Sequence, residues 1–169
     1  TGEGKGFCAG LDLIDTNERR EGEQGQKNRG EHNRPPRKLF DLRDAPINVM
    51  WHCDTPIICA VNGAAAGYGM DLTLLCDMRI MSERGKMAAI TARRNVVPES
   101  GGTWLLPRLV GWAKSAELYY RGRTVLADEC LELGLVNAVV PHEELLPTAM
   151  AWAQEVADNA PIAVQTTKR

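Results

Sequence analysis

The stretch Thr55 to Ile80, TPIICAVNGAAAGYGMDLTLLCDMRI, sets the tightest limit on what this chain can fold into. A short apolar, β-branched run from Ile57 to Val61 is broken by Asn62-Gly63, and the small-residue segment Ala64 to Gly69 leads into a second apolar run ending near Ile80. This pattern predicts a strand, a tight turn and a buried helix. Gly63, Gly67 and Gly69 fall within seven residues, so backbone there can approach another group closely. A helix that starts at this place aims its unpaired N–H groups and the positive end of its dipole at the same point. The natural occupant is an anion, or an oxygen that becomes one during a reaction.

Composition narrows the choice of partner. At 169 residues the chain has the length of one domain and can bury most of its apolar surface. A formal net charge of −2 gives no overall basic field to favour nucleic acid, and no apolar run is long enough to span a bilayer. Small molecules or other subunits are therefore the expected partners. Cys8, Cys53, Cys59, Cys76 and Cys130 form an odd set without CxxC spacing, and three of them sit in apolar runs, which predicts reduced thiols and a cytoplasmic location. His32, His52 and His142 share no metal-ligand spacing, so no metal is expected. The opening Thr1-Gly2-Glu3-Gly4-Lys5 has neither an initiator Met nor a leader-like stretch and reads as the start of a piece of a longer protein.

Along the chain, Gly6-Phe7-Cys8-Ala9-Gly10-Leu11-Asp12-Leu13 follows a glycine-rich lead-in and allows a sharp turn. Residues 16–38 mix both charge signs with Gly and Pro and contain almost no apolar side chains. No core can form there, so a solvated insertion is expected in preference to a phosphate site at Arg34, Arg37 and Lys38. Lys38 to Cys53 predicts a helix kinked or split at Pro46. Met78 to Met81 reads as a strand, Lys86 to Val97 stays unassigned, and Pro98-Glu99-Ser100-Gly101-Gly102 is a turn opening a helix near Glu99. Further helices are predicted over Ala113 to Arg121, Ala127 to Leu133 with Gly134 as C-cap, and Glu143 to Asn159, with a short strand over Leu135 to Val140. The last of these helices carries Leu146, Met150, Ala153, Val156 and Ala157 on one stripe, and Pro161 to Arg169 reads as the start of another helix.

Four stretches in this order carry a resemblance: GFCAGLDL, PIICAVNGAAAGYGMDLTLLCDMRI, VVPESGGTWLLPRLVG and YRGRTVLADECLELGLVNAVVP. Together they resemble the enoyl-CoA hydratase/isomerase (crotonase) superfamily over nearly the whole chain apart from the charged insertion. The resemblance implies an α/β fold, a crotonase-like ββα spiral of the ClpP/crotonase type, as a single domain over residues 1–169 with both end regions of the family missing. It also implies an acyl-CoA thioester as substrate, with coenzyme A as part of that substrate and no separate cofactor, and trimers or hexamers.

The same resemblance assigns roles residue by residue. Two backbone N–H groups, on Leu11 and Tyr68, would bind the thioester oxygen as it becomes an enolate, with Ala9, Gly10, Asp12 and Gly67 lining the substrate site. Fixed donors favour the more charged transition state over the ground state, and one such donor is typically worth about 3 kcal/mol. Tyr68 departs from the glycine usual at its position. Asp71 falls where many family hydratases carry a glutamate, and the site of their second glutamate holds Thr91, whose hydroxyl cannot act as a proton reservoir near neutral pH. Glu99 matches the single catalytic acid of some isomerases and is the first candidate for moving the proton, with Asp71 as its helper. Without the resemblance, Asp71 reads equally as a capping or ion-paired acid and Glu99 as an acid complementing a helix dipole.

Two rival readings remain. Asn62 to Gly69 also resembles the GxxxGxG fingerprint of NAD(P)-dependent short-chain dehydrogenases, but a Tyr-x-x-x-Lys pair should follow downstream. Tyr119 is followed four residues on by Arg123, and Tyr120 by Thr124. The second rival keeps the crotonase fold and removes the catalysis, a reading that Thr91 favours and Glu99 opposes.

Overall fold

The computed structural model describes residues 1–10, 45–98 and 100–169. The expectations for Leu11, Asp12, Glu99 and the insertion 16–38 lie outside these residues.

Asn62-Gly63 does not close a hairpin. It passes the chain from one sheet to another, between β2 (Ile58–Val61) and β3 (Ala64–Ala66). Gly63 is required here because a Cβ would overlap the Lys5 carbonyl oxygen. The Asn62 amide holds the crossing from its other side. Its Nδ2 donates to the carbonyls of Gly4 and Gly6, and its Oδ1 accepts from the Gly2 N–H. Helix α2 (Tyr68–Leu74) follows, and then β4 (Met78–Ser82) pairs parallel with β2 while β5 (Lys86–Ala88) pairs parallel with β3. Each pass of two strands and a helical segment thus adds one strand to each sheet, which is the ββα repeat expected from the resemblance.

One sheet has the order β1-β3-β5-β6, with β1 (Gly6–Cys8) parallel to β3 and β6 (Thr124–Leu126) antiparallel to β5. The other has the order β2-β4-β7, all parallel, closed by β7 (Ala138–Val140). Between the sheets and the helices lies a core whose most enclosed side chains include Val61, Met70, Met81, Met87, Leu106, Leu118 and Leu135. Cys59, Cys76 and Cys130 are buried in it as free thiols.

Several expectations shift. Pro46 starts a helix, α1 (Pro46–Trp51), where its missing N–H costs nothing, and the part of the expected helix before residue 45 lies outside the described residues. The unassigned segment after residue 85 supplies β5 and a 3-10 turn at Ala92–Arg94. Ala64 to Ala66, read as part of a turn, is a strand, and so is Thr124 to Leu126. Next come α3 (Gly102–Val110) and α4 (Trp112–Arg121), and α5 (Ala127–Glu132) ends before Gly134 at φ +72°. In α6 (Leu145–Ala157) the buried residues are Leu145 and Ala149. The predicted stripe is only partly covered: Leu146, Met150, Ala153 and Val156, with buried Ala149 among them, line an open groove against Ile58 and Ala60. Helix α7 (Pro161–Lys168) completes the described chain, and no helix among the described residues is long and apolar enough to cross a membrane.

Candidate active site

The site forms where β1 and β3 end side by side. Gly10, at φ +92°, brings the chain against the next segment so closely that a Cβ would stand 2.8 Å from the Ala66 carbonyl oxygen and 3.6 Å from the Tyr68 nitrogen. Gly67, at φ +54°, turns the chain from β3 into α2 and anchors the corner by donating its N–H to the Ala88 carbonyl oxygen at 2.9 Å. Tyr68 is the first residue of that helix, so its N–H has no intrahelical acceptor. Gly69 packs so closely on the Cys8 carbonyl that a side chain would overlap it. A small cavity of about 130 Å³ lies in this corner, with Ala9, Gly10, Gly67, Tyr68, Thr91 and Arg94 among its lining residues.

Asp71 sits one turn further along α2 and is 5% exposed. Burial raises its carboxyl pKa to about 6, against a smaller downward pull from the neighbouring Tyr119 hydroxyl. No cation among the described residues pairs with it, and it lies in the first turn of α2 without serving as the side-chain cap at Gly67. Burial also pushes the Tyr68 phenol up, with Cys8 and Asp71 adding to the shift.

The first residue of α3, Gly102, lies directly on this carboxyl. Gly101 takes φ +84°, and a methyl group on Gly102 would overlap both Asp71 Oδ1 and Tyr119 Oη. Gly102→Ala therefore forces an overpacked contact between α2, α3 and α4. The expected cost is about 1–3 kcal/mol in denaturant unfolding, and an unchanged midpoint would mean that the carboxyl has room to retreat.

Thr91 lies between the corner and a second, largely apolar cavity of about 420 Å³, lined also by Val96, Val97, Pro98, Trp112 and Tyr119. The Thr91 and Tyr119 hydroxyl oxygens are both buried and meet no partner in full hydrogen-bond geometry among the described residues. The structure thus places Ala9, Gly10, Gly67 and Tyr68 around one corner, with Asp71 buried one turn further along α2 and lining neither cavity. It adds Tyr119, Gly102 and Arg94, which sequence reasoning missed. Gly102 alone left a signal, as the second of two glycines opening a helix. A further cleft, of about 590 Å³ and lined by His52, Asp54, Asp77 and Arg169 among others, shares no residue with either cavity.

Fold and site together define a ββα-spiral protein with a backbone donor corner and a buried acid beside it. The model of the enoyl-CoA hydratase/isomerase family matches residues 1–169, and the chain belongs to this family. It is similar to the short-chain-enoyl-CoA hydratase of Clostridium acetobutylicum, with 36% identity over 170 residues that cover 100% of this chain and 60% of the relative. It is also similar to the carnitinyl-CoA dehydratase of Salmonella paratyphi A, with 37% identity over 124 residues, covering 73% of this chain and 48% of the relative. A crystal structure of an enoyl-CoA hydratase/isomerase from Pseudoalteromonas atlantica superposes with TM-score 0.78 at 33% identity, covering 99% of this chain and 60% of that one. This chain therefore spans 60% of the length of the Clostridium relative. With the family established and the strands divided between two sheets, the dehydrogenase reading falls.

Proposed function

We propose that the protein containing this chain acts on acyl-CoA thioesters, adding water to a 2-enoyl-CoA or shifting its double bond through a thioester enolate. The observation that carries the reading is the juxtaposition at the start of α2. A helix-opening N–H on Tyr68 lies against the Ala9-Gly10 turn, and a buried carboxyl with its pKa raised to about 6 follows one turn later. The thioester oxygen would accept from the Tyr68 and Leu11 N–H groups, which stabilise it as charge develops. Glu99, helped by Asp71, would move the proton, because a carboxyl with a pKa near the working pH can both take and return one.

Hydration needs one carboxylate to activate water and a proton source for the carbon next to the thioester. Isomerisation needs only one base able to carry the same proton between two carbons. Thr91 at the second hydratase position favours a mechanism in which Glu99 and Asp71 share these tasks. The reaction takes no cofactor beyond the coenzyme A of its substrate, and the working assembly is a trimer or hexamer in the cytoplasm.

The test is turnover of crotonyl-CoA and a 3-enoyl-CoA by the full-length protein, followed at the conjugated thioester absorbance. The expected result is turnover of at least one substrate, with a loss of about 100-fold or more in Glu99→Gln. A protein that binds the thioesters and turns over neither overturns the choice of reaction, and one that binds no thioester has the non-catalytic role instead.

A further inference from the structure

Tyr119 enters the site from α4, 48 positions beyond Asp71 in the chain. Its ring lines the apolar cavity beside Val96, Val97 and Trp112, and its hydroxyl continues inward to the point where Gly102 lacks a side chain. Asp71 Oδ1 occupies the same gap, since a single Cβ placed on Gly102 would overlap both oxygens. Among the described residues the buried hydroxyl meets no partner in full hydrogen-bond geometry, yet it stands close enough to the carboxyl to pull its pKa down. A buried hydroxyl and a buried carboxylate each carry a desolvation penalty that a shared hydrogen bond removes. Their backbone supports, α2 and α4, meet across α3 at Gly102, where a side chain would keep them apart.

We propose that Tyr119 is a positioning residue for Asp71, donating its hydroxyl proton to Oδ1 and so leaving Oδ2 turned toward the reacting carbons. The oxygen pair is closed by a small movement of the carboxyl, and Gly102 supplies the space. The hydroxyl works in the direction opposite to burial and holds Asp71 ready to ionise. The Tyr68 phenol on its own helix is another titratable group near the carboxyl, with the Cys8 thiol on β1 neighbouring that phenol in turn, and α3 approaches the carboxyl at Gly102. The Tyr119 ring also borders the apolar cavity, so a group seated there rests on the residue that orients the acid.

The positioning role rests on the proposed acyl-CoA reading only for its kinetic arm. Tyr119→Phe keeps the ring and removes the donor, and Tyr119→Leu is a second variant without a donor. The direct readout is the titration of the Asp71 carboxyl in the full-length protein without substrate, by isotope-edited infrared spectroscopy, with Asp71→Asn assigning the band. In Tyr119→Phe the carboxylate band should appear only at higher pH than in the parent, and Tyr119→Leu should move it in the same direction. In the kinetic arm, kcat should fall several-fold, about 3- to 10-fold, at pH 6 and recover to within about 2-fold at high pH, with KM little changed. A titration unmoved in both variants overturns the proposal. A moved titration in a protein that turns over no thioester keeps Tyr119 as the positioning group and overturns the proposed function instead.

Discussion

Asp71→Asn should make the protein slower and, above pH 6, more stable. The rate loss expected for removing a group that takes part in proton transfer is about 100-fold or more. The gain in stability follows from the direction of the pKa shift. Burial lifts the folded-state value from 3.8 to about 6, so the native state holds this proton more tightly than the unfolded chain does. Stability associated with the group is fully present below the unfolded value and is lost as pH rises through the folded one. At neutral pH the ionised carboxylate therefore costs the fold free energy, and asparagine removes that cost while leaving an amide that needs a partner of its own. The net gain expected is about 1–2 kcal/mol at pH 8, turning into a loss of about 1 kcal/mol at pH 4, where the cost of the buried amide remains and that of the charge does not. Paired thermal unfolding of parent and variant at both pH values reads it. A variant less stable than the parent at pH 8 would mean that Asp71 is held there for structural reasons, and would remove the main support for its catalytic role.

Such a conflict between stability and charge was only partly readable in the sequence. The spacing of Gly67, Tyr68 and Asp71 is local, so a glycine turn into an apolar helix placed all three correctly relative to one another. The burial that shifts Asp71 is not local, since Gly102 and Tyr119 close over it from α3 and α4. Nothing in a run of residues around position 119 marks a tyrosine that faces an acid 48 positions away. The strands show the same divide. Ile58–Val61 and Met78–Ser82 are apolar and β-branched or long enough to declare themselves. Ala64–Ala66 has only methyl side chains, and its strand state comes from pairing with β1 and β5 on either side. In α6 the periodicity of the apolar stripe was legible, but its burial was not. Leu145 and Ala149 face Ala60 and Ile80, whereas Leu146 and Met150 are left 53% and 62% exposed in the groove.

Arg79→Met should produce the largest loss of stability among single changes outside the site. Helix α2 has seven residues, too few to hold its shape alone, so both ends must be fixed by what they touch. The front is held by the close approach of Gly69 to Cys8. The rear is held by Arg79, a cation only 5% exposed, which returns from β4 to the carboxyl end of the helix. Its Nη1 donates to the carbonyls of Thr73 and Cys76, and its Nε to the Leu135 carbonyl at 2.8 Å. A guanidinium at the negative end of a helix is favourable in itself, and its fork satisfies three carbonyls that water cannot reach. Burial still pulls its pKa down, partly offset by Cys76, Cys59 and Asp77. Methionine fills much of the volume and leaves all three acceptors without a donor, for an expected cost of about 3–5 kcal/mol. Thermal unfolding of the full-length variant should shift down by about 10 °C. Arg79→Lys should recover only part of this, because an ammonium cannot span the same three oxygens in one plane. If Arg79→Met unfolds within about 2 °C of the parent, the three carbonyls find other donors and the rear of α2 is held by packing alone. If the large shift appears, and the thioester activity remaining at low temperature falls further than the folded fraction does, the position of the Tyr68 N–H and the Asp71 carboxyl depends on this guanidinium at the far end of their helix.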